Sequence, residues 1–135
     1  MSKLDHRDVE LIESAKEIIQ ARYREGWHHV GAAVRTKSGK IYAAVNLEAY
    51  IGRVAVCAEA IALGKAISEG EDEFDTIVAV LSDGQGDARL VSPCGICREL
   101  ISDYGKEVHV LLPDDTKPAR KIGIMELLPQ KYQRE

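Results

Sequence analysis

The sequence predicts an α/β protein built in layers, and three observations carry that prediction. Segments with helical periodicity alternate along the chain with short extended runs. One of those runs, residues 76–81 (Thr-Ile-Val-Ala-Val-Leu), is almost continuously apolar, as expected of a central strand buried on both faces. Two others, residues 30–34 and 40–45, flank Lys37-Ser38-Gly39-Lys40, a hairpin turn with its glycine.

Taken in order, residues 5–25 read as an amphipathic helix, with Val9, Ile12, Ala15, Ile19 and Tyr23 at three- and four-residue steps. Asp5 is its N-cap and Gly26 its stop. No chemistry is expected on it. The hairpin strands follow, and the small run Gly31-Ala32-Ala33 lets a helix or a ligand approach the backbone. A loop at 50–56 leads into a helix over 56–68, with Ile61, Leu63, Ala66 and Ile67 as apolar positions, and an acidic surface loop fills 69–73. After strand 76–81 comes a Gly/Asp-rich loop at 82–88, and then a helix over 95–103 entered through Ser92-Pro93. Residues 108–112 read as a fourth strand, 120–122 as a short fifth, and 124–128 as a last helical turn before a tail that contains Tyr132.

The chain has 135 residues, 45% apolar and 30% charged, which fits one soluble globular domain spanning 1–135. Its first residues lack the apolar core of a secretory signal, and no apolar run approaches the ~20 residues of a membrane span. Three thiols without a pairing scheme suit a reducing cytoplasm. The net charge is −4 and no basic stripe stands out, so a small free substrate is expected rather than nucleic acid.

The chemistry concentrates in Cys57-Ala58-Glu59 and, further on, Pro93-Cys94-Gly95-Ile96-Cys97, which together use every cysteine in the sequence. Zinc takes thiolate sulfur readily, and a catalytic site uses three protein ligands with the fourth position left for water. Cys57, Cys94 and Cys97 supply three. Glu59 is too close to Cys57 to ligate on the same turn without strain, but it can reach the water as a proton carrier. Buried inert cysteines, a redox C-x-x-C or a closed structural site are the competing readings. The last would want a fourth Cys or His, and no histidine stands near either half. Cys57 and Glu59 are expected in the first turn of one helix, whose positive end lowers a thiolate's pKa, and Cys94 and Cys97 in the first turn of another, so that two helix starts converge on one metal. The pattern is the signature of zinc deaminases in its three-cysteine variant.

Asn46 and Glu48 alternate along an extended segment and so point the same way. An amide beside a carboxylate grips a sugar hydroxyl well; an Asn turn with an exposed Glu explains the pair equally. Trp27, His28 and His29 precede the first strand, and Trp27 or His28 could touch a substrate or serve the structure alone.

On these residues the chain resembles the cytidine deaminase family. The matching segments are Val30-Gly31-Ala32-Ala33-Val34, Gly39-Lys40-Ile41, Asn46-Leu47-Glu48, Cys57-Ala58-Glu59 and Ser92-Pro93-Cys94-Gly95-Ile96-Cys97-Arg98, covering most of the chain from Val30 on. The resemblance implies a three-layer α/β/α sandwich with a five-stranded mixed sheet. It also implies a homotetramer with active sites near subunit interfaces. It assigns Cys57, Cys94 and Cys97 to Zn²⁺, Glu59 to proton transfer, and Asn46 and Glu48 to the ribose. The backbone around Ala58 and Pro93 is expected to orient the amino group and the water. The implied reaction is hydrolytic deamination of cytidine or deoxycytidine.

Several residues depart from the family's pattern. Ala60 stands where arginine usually follows Cys-Ala-Glu. Three thiolates outweigh Zn²⁺ by one negative charge and Glu59 adds another, so compensation falls to the helix starts, to Arg53 or, preferably, to Arg98, which adjoins a ligand. His28 replaces an aromatic residue, Glu99 a common glutamine, and Ala49-Tyr50-Ile51-Gly52-Arg53 the usual Asn-Ala-Ser-Tyr-Gly. Blasticidin-S deaminases resemble the chain in lacking that arginine, but lack the glutamate that it keeps as Glu48. Deamination of a blasticidin-type nucleoside is therefore the alternative activity, and a non-catalytic zinc-stabilised binding protein the third reading.

Overall fold

The first helix is set by its N-cap. In the computed structural model, which describes residues 3–134, Asp5 Oδ1 accepts from the backbone N–H groups of Arg7 and Asp8, and Asp8 Oδ2 accepts in return from the Asp5 N–H. This reciprocal box satisfies donors that a helix start otherwise leaves unpaired. Met1, Ser2 and Glu135, which the sequence reading included in the start and the tail, lie outside the described residues. Helix α1 (His6–Arg22) ends sooner than residue 25, because Tyr23 at ψ 135° leaves the helix before Gly26 is reached.

Its inward face is Leu11, Ile12, Ala15 and Ile19, and Asp8 rather than Val9 turns inward with them. Val9 is exposed because Asp8 is held from below: Arg35 Nη2 donates to its Oδ1 at 3.0 Å and Lys121 Nζ to its Oδ2 at 3.1 Å. A carboxylate that is fully buried needs such partners.

Strand β1 (Val30–Thr36) pairs antiparallel with β2 (Ile41–Val45) through the expected hairpin, and on its other edge with β3 (Phe74–Ser82). The far edge of β3 is shared. Strand β5 (His109–Leu112) runs parallel beside Thr76 and Ile77, whereas β4 (Ala88–Val91) runs antiparallel beside Ala79 to Ser82. Strand β6 (Arg120–Gly123) closes the order β2-β1-β3-β5-β6. Among the described residues the mixed sheet therefore has six strands rather than five. β4 was missed because its four residues emerge from a Gly/Asp-rich loop and include Arg89, so no alternation is long enough to read.

Side chains alternate across the sheet. Ala33, Val78 and Val80 meet α1, whereas Ala32, Val34, Ile77 and Ala79 meet helices α2 (Ala58–Ser68) and α3 (Gly95–Tyr104) on the opposite face. The result is the three-layer α/β/α arrangement. Gly31 serves a helix and not a ligand: a Cβ there would lie 2.4 Å from the Ala15 carbonyl oxygen and 2.9 Å from Ile19 Cβ. On α2, Ala62, Leu63 and Ala66 are buried while Ile67 is exposed.

Candidate active site

Two chain entries converge on one cavity. An isolated bridge between Leu47 and Val56 holds the loop around the 3-10 turn Gly52–Val54 and delivers Cys57 to the start of α2. From the other side, β4 runs directly into Ser92-Pro93-Cys94, so its pairing with β3 sets where α3 begins. Cys57 and Cys94 are the N-cap residues of α2 and α3, one position before the first helical turn in which they were expected.

The sulfurs of Cys57, Cys94 and Cys97 all lie within 4.8 Å of one another, with Cys57 and Cys94 at 3.8 Å. Two sulfurs bound at about 2.3 Å to one tetrahedral ion stand about 3.8 Å apart, so the donor set and its spacing fit zinc. Burial pushes the Cys57 thiol above its ordinary pKa, and that of Cys97 far above it. Cys94 moves the other way. Its partial burial opposes ionisation, but the N–H groups of Cys97 and Ile96 at the start of α3, with the other two thiols, win and lower it. A cation is what ionises all three.

Glu59, in the first turn of α2, is only 6% exposed and lines the same cavity of about 400 Å³ as Cys57 and Cys94. Burial raises its carboxyl above the usual range, against the opposing pull of its own backbone N–H and of the Cys97 thiol. Ala58 is buried against the cavity wall.

The structure also brings Asn46 and Glu48 to this cavity. Glu48 is exposed at its edge. The Asn46 amide is already engaged: Oδ1 accepts from the N–H groups of His29 and Val30, both at 3.0 Å, and Nδ2 donates to the Trp27 carbonyl at 3.1 Å. One Nδ2 hydrogen remains for a ligand. Nothing near Asn46 in the chain signals this, because the partners are backbone groups some 16 to 19 residues earlier.

Arg98 is half-buried and spans two carbonyls, with Nε donating to Pro93 at 2.9 Å and Nη1 to Leu127 at 3.3 Å. It thus ties the second cysteine loop to the 3-10 turn Ile124–Leu127. Arg53 is exposed on the entry loop. Among the described residues no aromatic ring lines the cavity. Trp27 packs edge-on to Tyr50 at 5.3 Å, His28 borders a separate hollow beside Ala43 and Ile61, and Tyr132 borders a groove beside Glu99.

Residues 5–112 match the model of the cytidine and deoxycytidylate deaminase zinc-binding region. The chain belongs to this deaminase family. It is 53% identical over 135 residues to the blasticidin-S deaminase of Bacillus cereus, covering 97% of this chain and 96% of that one. It is 34% identical to the cytidine deaminase of Sporosarcina psychrophila, covering 95% and 93%. The crystal structure of cytidine deaminase from Burkholderia pseudomallei superimposes with a TM-score of 0.76 at 30% identity, covering 96% of this chain and all of that one. The deaminase's zinc region thus includes all three cysteines and Glu59. No helix among the described residues is long and apolar enough to cross a membrane.

Proposed function

We propose that this deaminase hydrolyses the exocyclic amine of a cytosine nucleoside, cytidine or deoxycytidine, giving the uridine and ammonia. The observation that carries the proposal is the buried Glu59 beside three sulfurs at tetrahedral spacing, in a cavity large enough for a nucleoside. Zinc held by Cys57, Cys94 and Cys97 would supply Lewis-acid activation of a water at neutral pH. Glu59 takes the proton from that water as it attacks C4. It returns a proton to N3 and carries another to the departing amine, so one carboxyl serves as base and then as acid. Backbone groups around Ala58 and Pro93 orient the amino group. Glu48 accepts from a sugar hydroxyl, and the remaining Asn46 N–H donates to the sugar.

Arg98 and the two helix starts offset the charge of the thiolates. A single domain over 1–135 carries all of these groups. Leu47, Tyr50, Ile51, Val54 and Ile96 are exposed on or beside the cavity's rim, which supports assembly into a homotetramer whose neighbouring copies cover it. Such an enzyme works on small nucleosides in the cytoplasm, in pyrimidine salvage, without nucleic-acid or membrane partners.

A second reading is favoured by the 53% identity to the Bacillus cereus protein: the cytosine ring belongs to a blasticidin-type nucleoside. Incubation with cytidine, deoxycytidine and blasticidin S, followed by ultraviolet absorbance and ammonia release, decides. Turnover of cytidine or deoxycytidine well above that of blasticidin S supports the first reading, and the reverse order the second. Stoichiometric zinc with no ammonia from any of them would leave a zinc-stabilised binding protein.

A further inference from the structure

Asn46 stands just past the end of β2, and every hydrogen bond recorded for it goes to residues 27–30. Its N–H donates to the Val30 carbonyl at 3.1 Å, its side chain holds the backbone of Trp27, His29 and Val30, and its carbonyl oxygen lies 2.8 Å from His28 Nδ1. A carbonyl only accepts, so His28 Nδ1 carries the proton and donates. His28 is half-buried and borders the separate hollow beside Ala43 and Ile61, not the cavity that holds Glu59. Among the described residues its ring's hydrogen bond toward the site runs through Asn46.

We propose that His28 is a positioning residue for the sugar side of the cavity. Its Nδ1–H fixes the Asn46 carbonyl, and with it the peptide that leads to Leu47 and Glu48. The four other hydrogen bonds of Asn46 define where the residue sits. The His28 bond holds the carbonyl of the Asn46–Leu47 peptide while that peptide's N–H donates to the Val56 carbonyl at 2.9 Å, and together they set the direction that places Glu48 on the cavity edge. Glu59 and Cys97 lie on α2 and α3, and Cys57 and Cys94 are their N-caps; none of the four hydrogen-bonds to His28 or Asn46 among the described residues. Losing it should weaken substrate positioning and leave the proton chemistry intact. This rests on the proposed role of Glu48 at the sugar.

The pair H28N and H28L separates the donor from the bulk. Both side chains branch at the γ position, and asparagine alone offers an N–H where Nδ1 stood. H28L is expected to raise KM for the nucleoside that the wild type turns over by about tenfold, the scale of one lost hydrogen bond. Its kcat should stay within about twofold and its zinc content should be unchanged. H28N should lie near wild type on all three. Hydrogen exchange gives a readout independent of turnover: the Leu47 amide, which belongs to the peptide that His28 holds and donates to the Val56 carbonyl at 2.9 Å, should exchange faster in H28L than in H28N. Equal KM values and equal exchange in the two variants overturn the proposal, as does a loss confined to kcat. If H28L does not fold, H28F, which keeps a ring and lacks the donor, takes its place in the same comparison. If the wild type deaminates no nucleoside, the functional reading fails while the exchange comparison still judges His28.

Discussion

Replacing Glu59 with glutamine removes one proton carrier and almost nothing else. The two side chains have the same shape, so E59Q should leave the cavity of about 400 Å³ and the three sulfurs within 4.8 Å of one another undisturbed. The size of the loss follows from the geometry. Glu59 is 6% exposed, and the other carboxylate on the cavity lining, Glu48, stands at the exposed edge. No group in that lining can take over between the water, N3 and the amine. A positioned general acid or base contributes about 10²–10⁴-fold, and Glu59 serves in both roles. We expect kcat to fall by about 10⁴-fold or more, equivalent to ~5.5 kcal/mol in the barrier. The assay is loss of cytosine absorbance at saturating substrate, with zinc measured on the same sample. Zinc should stay at one per chain and substrate should still bind. Should E59Q keep more than about a hundredth of wild-type turnover with its metal in place, Glu59 is not the proton carrier.

Other outcomes follow from the same geometry. E48A should raise KM for cytidine with a smaller effect on kcat, because Glu48 is exposed at the cavity edge and is proposed to hold the sugar; steady-state kinetics read this. R98A removes both the charge beside Cys97 and the two bonds to Pro93 and Leu127, so chelator titration should show faster zinc loss; unchanged retention and turnover would leave Arg98 with no part in the site. G31A forces a methyl to 2.4 Å from the Ala15 carbonyl and should destabilise the fold by about 1–3 kcal/mol in denaturant unfolding. D5A removes the α1 cap and should cost about 1 kcal/mol. Slight burial opposes ionisation of Asp5, but the Asp8 N–H, the Arg7 side chain and the Arg7 N–H hold its carboxyl below the ordinary 3.8. That contribution is present above 3.8 and is lost as pH falls through the lowered value, so the gap in Tm between wild type and D5A should narrow only in acid.

The residues proposed to do the chemistry were legible in the chain because zinc chemistry demands particular atoms at particular spacings. Cys57, Glu59, Cys94 and Cys97 fall into one motif that leaves few competing readings, and the layer order followed from helical and extended periods that alternate. Asn46 and Glu48 were visible as a pair, but not as a pair with different tasks. That distinction depends on where the backbone of Trp27, His29 and Val30 lies, and nothing local to Asn46 encodes it. Val9 was read as an inward position, and nothing near it announces that Asp8 turns inward instead, since neither Arg35 nor Lys121 is close in sequence.

From residue type and short spacing alone came the α/β class and the candidates proposed here as zinc ligands and proton carrier. The tertiary structure decided what long-range pairing alone can decide. β4 joins the sheet because β3 offers it an edge, and that pairing brings Cys94 to within 3.8 Å of Cys57. It also turned Asn46, Arg98 and His28 toward backbone carbonyls and amides, which carry no side-chain identity for a sequence to reveal.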